Sequence, residues 1–212
     1  RVQPETFFNF PRNIFIHFQL ILNMKFDNII NTRASIKRYS SKKPPIEKVL
    51  QAVESATHAP SPGNLHLLKY IIIDNVDTIY EISEACQQEF IKKAPFLVIV
   101  CSDSQQAKTM YDERAKTYIK QHAGASIENF LLKITEMKLA SCWVGAFSDT
   151  TIKRILNIPG NIEIEAVLPV AYQLKTESKK QKPKIQLDRA FFFHKYGEKF
   201  KTPLKRVRRT DL

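Results

Sequence analysis

Residues 124–147, GASIENFLLKITEMKLASCWVGAF, decide the fold that the sequence predicts. Their first part carries apolar residues at helical spacing, namely Ile127, Phe130, Leu131, Ile134 and Met137. That spacing predicts a helix with one apolar face. Residues 141–147 are predicted to form a short strand that leads into a loop, and Gly145 would let a flat ligand approach the backbone closely. The stretch therefore predicts a long helix followed directly by a strand of a sheet.

Helices and strands alternate on either side of this stretch. Apolar periodicity and loop signals predict helices at 46–58, 77–90, 106–138 (one or two helices) and 149–156, and strands at 70–73, 96–101, 141–147 and 162–174. Asp149 is placed to cap the last helix. This order predicts an α/β or α+β sheet wrapped by helices. Neither G-x-G-x-x-G nor G-x-x-x-x-G-K-[ST] occurs, which argues against Rossmann and P-loop folds.

The charge of the chain is concentrated toward its carboxyl end. The 212 residues include 33 Lys+Arg and 21 Asp+Glu, for a formal net charge of +12. Residues 175–212 contain 13 Lys+Arg and 4 Asp+Glu, so they supply +9 of that charge. The rest of the chain is close to balanced and has enough apolar residues for one sizeable core. A basic segment of this kind is either a solvated, charged surface or a binding segment for an anionic partner such as nucleic acid or a membrane surface.

The two ends of the chain are predicted to lie outside the folded domain. Residues 1–23 are interpreted as an N-terminal extension or leader of doubtful status. Their apolar run at 14–22 is shorter than the roughly 18–20 residues that a membrane span needs. We predict a domain at 24–196 and a basic C-terminal tail at 197–212.

Cysteine usage favours a reducing compartment. The three cysteines, Cys86, Cys101 and Cys142, are widely spaced and show no C-x-x-C metal spacing. We interpret them as packing residues, and we expect a cytoplasmic protein without a membrane partner.

Several segments carry residues suited to chemistry. In an extended conformation, the cations and the hydroxyl of Arg33-Ala34-Ser35-Ile36-Lys37 would point to one side, where they suit a phosphate or a surface basic patch. Ala59-Pro60-Ser61-Pro62-Gly63-Asn64 forms a rigid loop after a helix, and Asn64 can donate and accept hydrogen bonds at once. A flavin pyrimidine edge presents that mixed pattern, although the loop would equally serve as a turn. Arg189 is the first possible anion ligand after the basic loop.

The order and spacing of these segments resemble the nitroreductase family. That family opens with R-x-S-x-[RK] and continues with A-P-S-x-x-N-x-Q-P-W, and residues 33–37 and 59–68 occupy those places here. The family's central helix ends in N-L-L-L-A-A-x-x-L-G-L-x-S-x-W-x-G, which residues 129–145 resemble. Its closing R-x-P-L-E-E-x-V is loosely similar to residues 189–192. The resemblance covers about residues 25–196.

The resemblance implies an α+β, nitroreductase-like FMN-binding fold, with a central, mostly antiparallel sheet flanked by helices. It also implies a homodimer with FMN at the subunit interface. Arg33, Ser35 and Arg189, with Ala34 in the same segment, would hold the phosphate end. Lys37 would lie near the N1 and O2 edge of the flavin, where positive charge stabilises the anionic reduced ring.

The remaining implied cofactor contacts come from two loops. One subunit would line the flavin ring with Pro60, Ser61, Pro62, Asn64 and His66. Backbone groups of Val144, Gly145 and Ala146 would face N5. NADH or NADPH would supply hydride, and a small organic acceptor such as a nitroaromatic, a quinone or a flavin would receive it. The chemistry would belong to the cofactor, so no catalytic side chain is assigned.

The sequence departs from the family pattern at four places. The family's Q-P-W is His66-Leu67-Leu68 here, the second Arg of R-R-S is Ala34, and the glycine before Leu139 is Lys138. The usual acidic residue early in the central helix is not evident near His122. These departures bear on acceptor specificity more than on FMN binding.

Two alternatives to the oxidoreductase remain open. A basic protein could bind nucleic acid through 175–212, although no zinc finger, KH loop or RNA-recognition aromatic pattern accompanies that segment, so nucleic acid is the less favoured partner. A non-catalytic FMN-binding protein is the other alternative. Salt-dependent retention on DNA would favour the first, and a yellow protein that NADH cannot bleach would favour the second.

Overall fold

The structure, a computed structural model, describes residues 26–174 and 189–198. The chain divides into two compact units, Arg1–Glu177 and Ser178–Leu212, and all the helices and strands below belong to the first. The helices are α1 (Phe26–Thr32), α2 (Ile46–Thr57), α3 (Val76–Cys86), α4 (Gln105–Tyr111), α5 (Ala115–Glu136) and α6 (Asp149–Leu156). The strands are β1 (Leu68–Ile73), β2 (Phe96–Asp103), β3 (Ala140–Ser141) and β4 (Ile162–Ala171). Short 3₁₀ turns occur at Pro62–Asn64, Ile91–Lys93 and Asp112–Arg114.

The four strands form one sheet in the order β1-β2-β4-β3. All three neighbouring pairs are antiparallel, with Tyr70 opposite Val100 between β1 and β2, and Ser141 opposite Val170 between β3 and β4. The predicted α+β fold, with a mostly antiparallel sheet flanked by helices, is confirmed. Helix α2 precedes β1 and α3 connects β1 to β2, whereas the long connections from β2 to β3 and from β3 to β4 contain α5 and α6, the other helices that pack against the sheet.

The two central strands are buried on both faces because their sequences are continuously apolar. Residues 96–102 of β2 and 166–171 of β4 are all buried. Alternate side chains of β2 enter two separate clusters: Phe96, Val98 and Val100 pack with α2 and α5, whereas Leu97, Ile99 and Cys101 pack with α3 and α6. Helices therefore cover both faces, as the layered arrangement of such domains requires.

Most of the predicted elements are confirmed. The helix predicted at 46–58 is α2, that at 149–156 is α6, and the strands predicted at 70–73 and 96–101 lie within β1 and β2. The region 106–138 forms two helices, α4 and α5. The three cysteines are free and buried, as packing residues should be.

Four details of the predicted elements were wrong. The strand predicted at 141–147 ends at Ser141, and beyond it only Val144 forms an isolated bridge. The helix predicted at 77–90 ends at Cys86 because Gln87 adopts a left-handed conformation with φ of 52°. The residue before α6 is Ser148, so Asp149 lies in the first turn rather than at the cap. The strand predicted at 162–174 ends at Ala171, beyond which Gln173 forms an isolated bridge to Tyr39.

Two kinds of feature are absent from the described part of the chain. No helix within 26–174 and 189–198 combines the length and apolarity that crossing a membrane requires. In the same ranges, no group of three or more His, Cys, Asp or Glu side chains is arranged to hold a metal ion.

The apolar face of α5 is expected to dominate the stability of the domain. Phe130 on this helix is fully buried between α2 and the sheet. Phe130→Ala should lower the free energy of unfolding by about 3–5 kcal/mol, because it removes a large buried side chain and leaves a cavity. Urea denaturation followed by circular dichroism measures this change.

Lys116→Ala, at an exposed position of the same helix, is the matched control. It should change the free energy of unfolding by less than about 0.5 kcal/mol. Equal losses in the two variants would contradict the assignment of Phe130 to the core.

Candidate functional site

The segment Arg33–Lys37 lies along the β3 edge of the sheet. The backbone N–H of Ile36 donates a hydrogen bond to the carbonyl of Ser141 in β3 (2.9 Å). Ile36 packs against the core, whereas Ser35 and Lys37 on either side of it are exposed. Ala34 is half-buried. The predicted alternation is therefore present for Ser35 and Lys37, which are available to a ligand.

The cations of this segment have local partners of modest strength. Arg33 Nε lies 3.2 Å from Glu128 Oε1 of α5, and the two side chains are 22% and 46% exposed. Ion pairs this accessible to water contribute at most about 1 kcal/mol, so an incoming anion can compete for the guanidinium. Lys37 Nζ lies 5.0 Å from the centroid of the Phe90 ring.

Cys142 shows how closely Ser35 and Lys37 approach the end of β3. Burial raises the pKa of the Cys142 thiol, while the charge of Lys37 and a hydrogen bond with Ser35 act in the opposite direction. Burial is the largest of these effects, so the thiol stays protonated at neutral pH. Ser35 and Lys37 therefore both interact with Cys142, the residue that follows β3.

The chain beyond Cys142 presents open backbone beside this segment. Val144 is buried and exchanges two backbone hydrogen bonds with Val167 of β4 (3.1 and 3.0 Å). Gly145 and Ala146 are exposed, and a Cβ added to Gly145 would meet no heavy atom within 4 Å. The β3 edge therefore combines two cations, a hydroxyl and accessible backbone, which is the donor set for a ligand with an anionic end and a polar ring.

The Pro60–Asn64 loop lies at the other edge of the sheet, before β1. Its 3₁₀ turn places Gly63 and Asn64 in the left-handed region, with φ of 56° and 57°. A Cβ on Gly63 would lie 2.5 Å from the hydroxyl of Tyr111, which belongs to α4. The backbone conformation therefore favours glycine, and a larger residue would also require the end of the Tyr111 side chain to move. Pro60, Asn64 and the nearby His66 are exposed.

Two hydrogen bonds of Ser126 connect the helix that precedes this loop, α2, with α5 and β1. Ser126 of α5 donates to the carbonyl of Ala56 near the end of α2 (2.9 Å). Its hydroxyl also lies 2.5 Å from the hydroxyl of Tyr70 in β1. Because buried hydroxyls need partners, these hydrogen bonds fix α2, α5 and β1 relative to one another.

A cavity of about 450 Å³ opens between this loop and the helices. The loop contributes Pro60, Ser61 and Pro62 to its wall. The helical part of the wall consists of Tyr111, Tyr118, Gln121, His122 and Ala125.

None of the helical residues of this wall was identified as functional from the sequence, and His122 is the one among them that can titrate near neutral pH. It is 7% exposed, and its Nδ1 has no hydrogen-bond partner within the described ranges. Burial, and secondarily the nearby His66, lower its pKa, so the imidazole is neutral at pH 7. The available signal was a histidine at helical spacing with the buried residues of α5.

The two parts of the predicted site lie at opposite edges of the sheet. The Pro60–Asn64 loop leads into β1, whereas Arg33–Lys37 lies beside β3, and the order β1-β2-β4-β3 separates those strands by three steps. At about 4.8 Å a step, the edges are roughly 14 Å apart. A single chain therefore brings Arg33–Lys37 together with residues 144–146, but not with the Pro60–Asn64 loop.

Arg189 belongs to the second unit, Ser178–Leu212. It is exposed, and the residues that follow it form two aromatic pairs, Phe191 with Phe193 and Phe192 with Tyr196. Its role as a phosphate ligand stays a prediction.

Comparisons with known proteins identify the family of this chain. A sequence model described as "Nitroreductase family" matches residues 30–172, about two thirds of the 212 residues. A proposed NADH dehydrogenase/NAD(P)H nitroreductase of Archaeoglobus fulgidus is 28% identical over 149 residues, which are 68% of this chain and 83% of that protein. An iodotyrosine deiodinase of Thermotoga neapolitana is 20% identical over 71% of this chain and 89% of its own length.

Solved structures agree with this match. An FMN-dependent nitroreductase of Clostridium difficile superposes with a TM-score of 0.63 at 22% identity, over 73% of this chain and 90% of that one. The NADPH:FMN oxidoreductase of Vibrio harveyi, solved with NAD+, gives a TM-score of 0.72 at 16% identity, over 82% and 78% of the two chains. The chain belongs to the nitroreductase family and is an oxidoreductase of that family.

The conformation of Gly63 can be tested by substitution. Gly63→Ala should lower the free energy of unfolding by about 1–3 kcal/mol, because alanine is strained at positive φ and its Cβ would press on Tyr111. Thermal unfolding of the purified variant measures the loss.

Gly145→Ala is the matched control, since the space around that position is open. It should unfold within about 0.5 kcal/mol of the parent protein. An unaltered Gly63→Ala protein would contradict the described loop.

Proposed function

We propose that this chain is an FMN-dependent oxidoreductase that passes hydride from NADH or NADPH to an organic acceptor such as a nitroaromatic, a quinone or a flavin. One observation carries the proposal: Ile36 is hydrogen-bonded to Ser141, which brings the exposed Ser35 and Lys37 to the same edge as the open backbone at Gly145. That edge provides groups suited to both ends of FMN.

The phosphate end of FMN fits the beginning of this segment. A phosphate monoester carries close to two negative charges at neutral pH, and Arg33 can offer it two parallel N–H donors. The hydroxyl of Ser35 adds a donor on the exposed side. We further propose Arg189 as a phosphate ligand, on the resemblance alone.

The ring end of FMN fits Lys37 and residues 144–146. A lysine ammonium near the N1 and O2 edge would stabilise the negative charge of the reduced ring. The open space at Gly145 would let the backbone approach N5. When bound, FMN supplies the hydride-transfer chemistry, and these residues bind it, orient it and set its electrostatic surroundings.

The second part of the site is proposed to come from another copy of the chain. Roughly 14 Å separates the sheet edges that carry Lys37 and the Pro60–Asn64 loop, so one chain does not present both to the same face of a ring. A homodimer in which each copy lends its loop to the other would complete two equivalent sites, as closed two-fold symmetry allows.

Names of relatives support the cofactor and the donor. The Clostridium difficile relative is named as FMN-dependent, and the Archaeoglobus fulgidus relative is named for NAD(P)H. The name of the Thermotoga neapolitana relative indicates that acceptors differ widely between related chains. We therefore leave the acceptor at the level of a small organic molecule.

We also propose the domain bounds and the cellular location, on the basis of the sequence and its resemblance to the family. The functional domain spans 24–196, with 1–23 and 197–212 outside it, and the protein is cytoplasmic. The alternative role of 175–212 in nucleic-acid binding concerns a segment of which the structure describes only 189–198. Nothing observed in those ten residues favours that role.

Removal of the two cations tests the assignment of the phosphate and ring-edge contacts. The double variant Arg33→Ala/Lys37→Ala should lose FMN retention, because charge-assisted hydrogen bonds contribute about 1.5–3 kcal/mol each, or about tenfold or more in affinity per contact. Absorbance of the purified protein near the flavin maximum and titration with FMN measure the loss.

The matched control removes two lysines from exposed positions elsewhere in the same unit. Lys108→Ala/Lys116→Ala should retain FMN as well as the parent chain does. If the Arg33→Ala/Lys37→Ala variant binds FMN at full stoichiometry and affinity, Arg33 and Lys37 are not the contacts that hold FMN.

A further inference from the structure

Lys37 carries a positive charge that no carboxylate of the described residues neutralises. Within 26–174 and 189–198, no Asp or Glu lies at ion-pairing distance from its ammonium group. The ammonium lies instead 5.0 Å from the centroid of the Phe90 ring. The face of an aromatic ring attracts a cation but carries no net charge. The charge of Lys37 is therefore held in place and is still available to a ligand.

Lys92 shows how an added carboxylate changes such a contact. Its ammonium lies 5.4 Å from the centroid of the Tyr80 ring, and it is also paired with Glu89. The carboxylate cancels much of the field of the ammonium, so a nearby anion gains little from Lys92. Lys37 has the aromatic support without this cancellation.

The Phe90 ring is itself fixed by the fold. Phe90 is half-buried and packs against the core cluster that α3 and α6 cover. The ring of Tyr39, a buried residue, lies 6.1 Å from it at an interplanar angle of 57°. The next residue, Ile91, is fully buried, and the N–H of Lys93 donates to the carbonyl of Phe90 (3.2 Å). The ring is thus a fixed support for the flexible side chain of Lys37.

Cys142 places the supported ammonium beside the end of β3. Burial raises the pKa of the Cys142 thiol, and the charge of Lys37 opposes that rise. The ammonium therefore lies close enough to Cys142 for its field to act there. Lys37 is exposed, and a long exposed side chain without a contact would distribute its charge over many rotamers. The Phe90 ring limits that freedom.

We propose that Phe90 is a positioning residue for Lys37, whose ring holds the ammonium at the N1 and O2 edge of bound FMN without neutralising it and so favours the reduced, anionic ring over the oxidised one. This inference rests on the proposed function. It adds a residue from the segment between α3 and β2, and that residue acts on the cofactor only through Lys37.

The expected effect is small and depends on the redox state of the flavin. Cation–π contacts at exposed sites change an equilibrium constant by about two- to fivefold. The oxidised ring is neutral and gains little from the ammonium, whereas the reduced anion gains the full attraction. Loss of the support should therefore weaken binding of reduced FMN by about threefold and leave oxidised FMN nearly unchanged. Since tenfold corresponds to about 30 mV for a two-electron couple, the potential of the bound flavin should fall by about 15 mV.

Phe90→Leu tests this effect, because it removes the aromatic face and keeps an apolar side chain. Its dissociation constants for oxidised FMN and for dithionite-reduced FMN are measured without oxygen, by flavin absorbance and fluorescence. We expect the loss in reduced FMN alone. Phe90→Tyr, which keeps an aromatic face, should bind both forms as the parent protein does. Equal losses for the two forms, or no loss for either, would overturn the proposal. Phe90→Met, also without an aromatic face, is read in the same way if the leucine variant does not fold.

A double-mutant cycle with Lys37→Gln tests whether Phe90 acts through the lysine. Lys37→Gln removes the charge, so it should weaken binding of reduced FMN more than binding of oxidised FMN. Adding Phe90→Leu to this variant should change neither dissociation constant further, because the ring then has no cation to hold. Losses that add in the double variant would contradict the positioning role.

Tyr80→Leu is the matched control, since it removes the ring that lies under Lys92. It should leave both dissociation constants unchanged. If Lys37→Gln weakens the two forms of FMN equally, Lys37 does not lie at the ring edge and that part of the proposed function fails. An effect of Lys37→Gln without an effect of Phe90→Leu would overturn the role of Phe90 alone. A parent protein that takes up no FMN would overturn both.

Discussion

Antiparallel pairing in the order β1-β2-β4-β3 is the constraint on which the rest of this structure depends. The two most apolar strands, β2 and β4, take the centre, where both of their faces can be buried. The chain segments suited to ligand binding are thereby assigned to the edges, Arg33–Lys37 beside β3 and the Pro60–Asn64 loop before β1. The two candidate segments thus lie at opposite edges of the sheet, which the strand order separates by three steps, or roughly 14 Å.

Helix α5 links the two edges. Glu128 on this helix is paired with Arg33, Ser126 bonds to the end of α2 and to β1, and His122 lines the cavity beside the loop. The apolar residues between these positions hold the helix against the sheet, with Phe130 fully buried. The polar groups of both edges are therefore positioned by one packed element, although the Arg33–Glu128 pair itself is accessible enough for an anion to displace.

Much of the fold could be predicted from the sequence because its signals are local. The run at 96–101 predicts a buried strand, and apolar spacing over 127–137 predicts the central helix, whatever packs around them. Features that depend on distant residues could not be predicted. The strand expected at 141–147 is cut short because the edge pairing with β4 continues only through Val144. The helical spacing shows only that His122 falls on the buried side of α5, whereas its burial without a hydrogen-bond partner in the described part of the chain depends on the surrounding fold.

The visible spectrum tests most directly whether the chain holds FMN and exchanges hydride with it. The purified protein, reconstituted with FMN and freed of excess, is placed under anaerobic conditions and mixed with NADH or NADPH. We expect a flavin absorption band that one of the two nucleotides bleaches and that returns when an organic acceptor is added. A protein that stays colourless after incubation with FMN, or a flavin band that neither nucleotide bleaches, would contradict it.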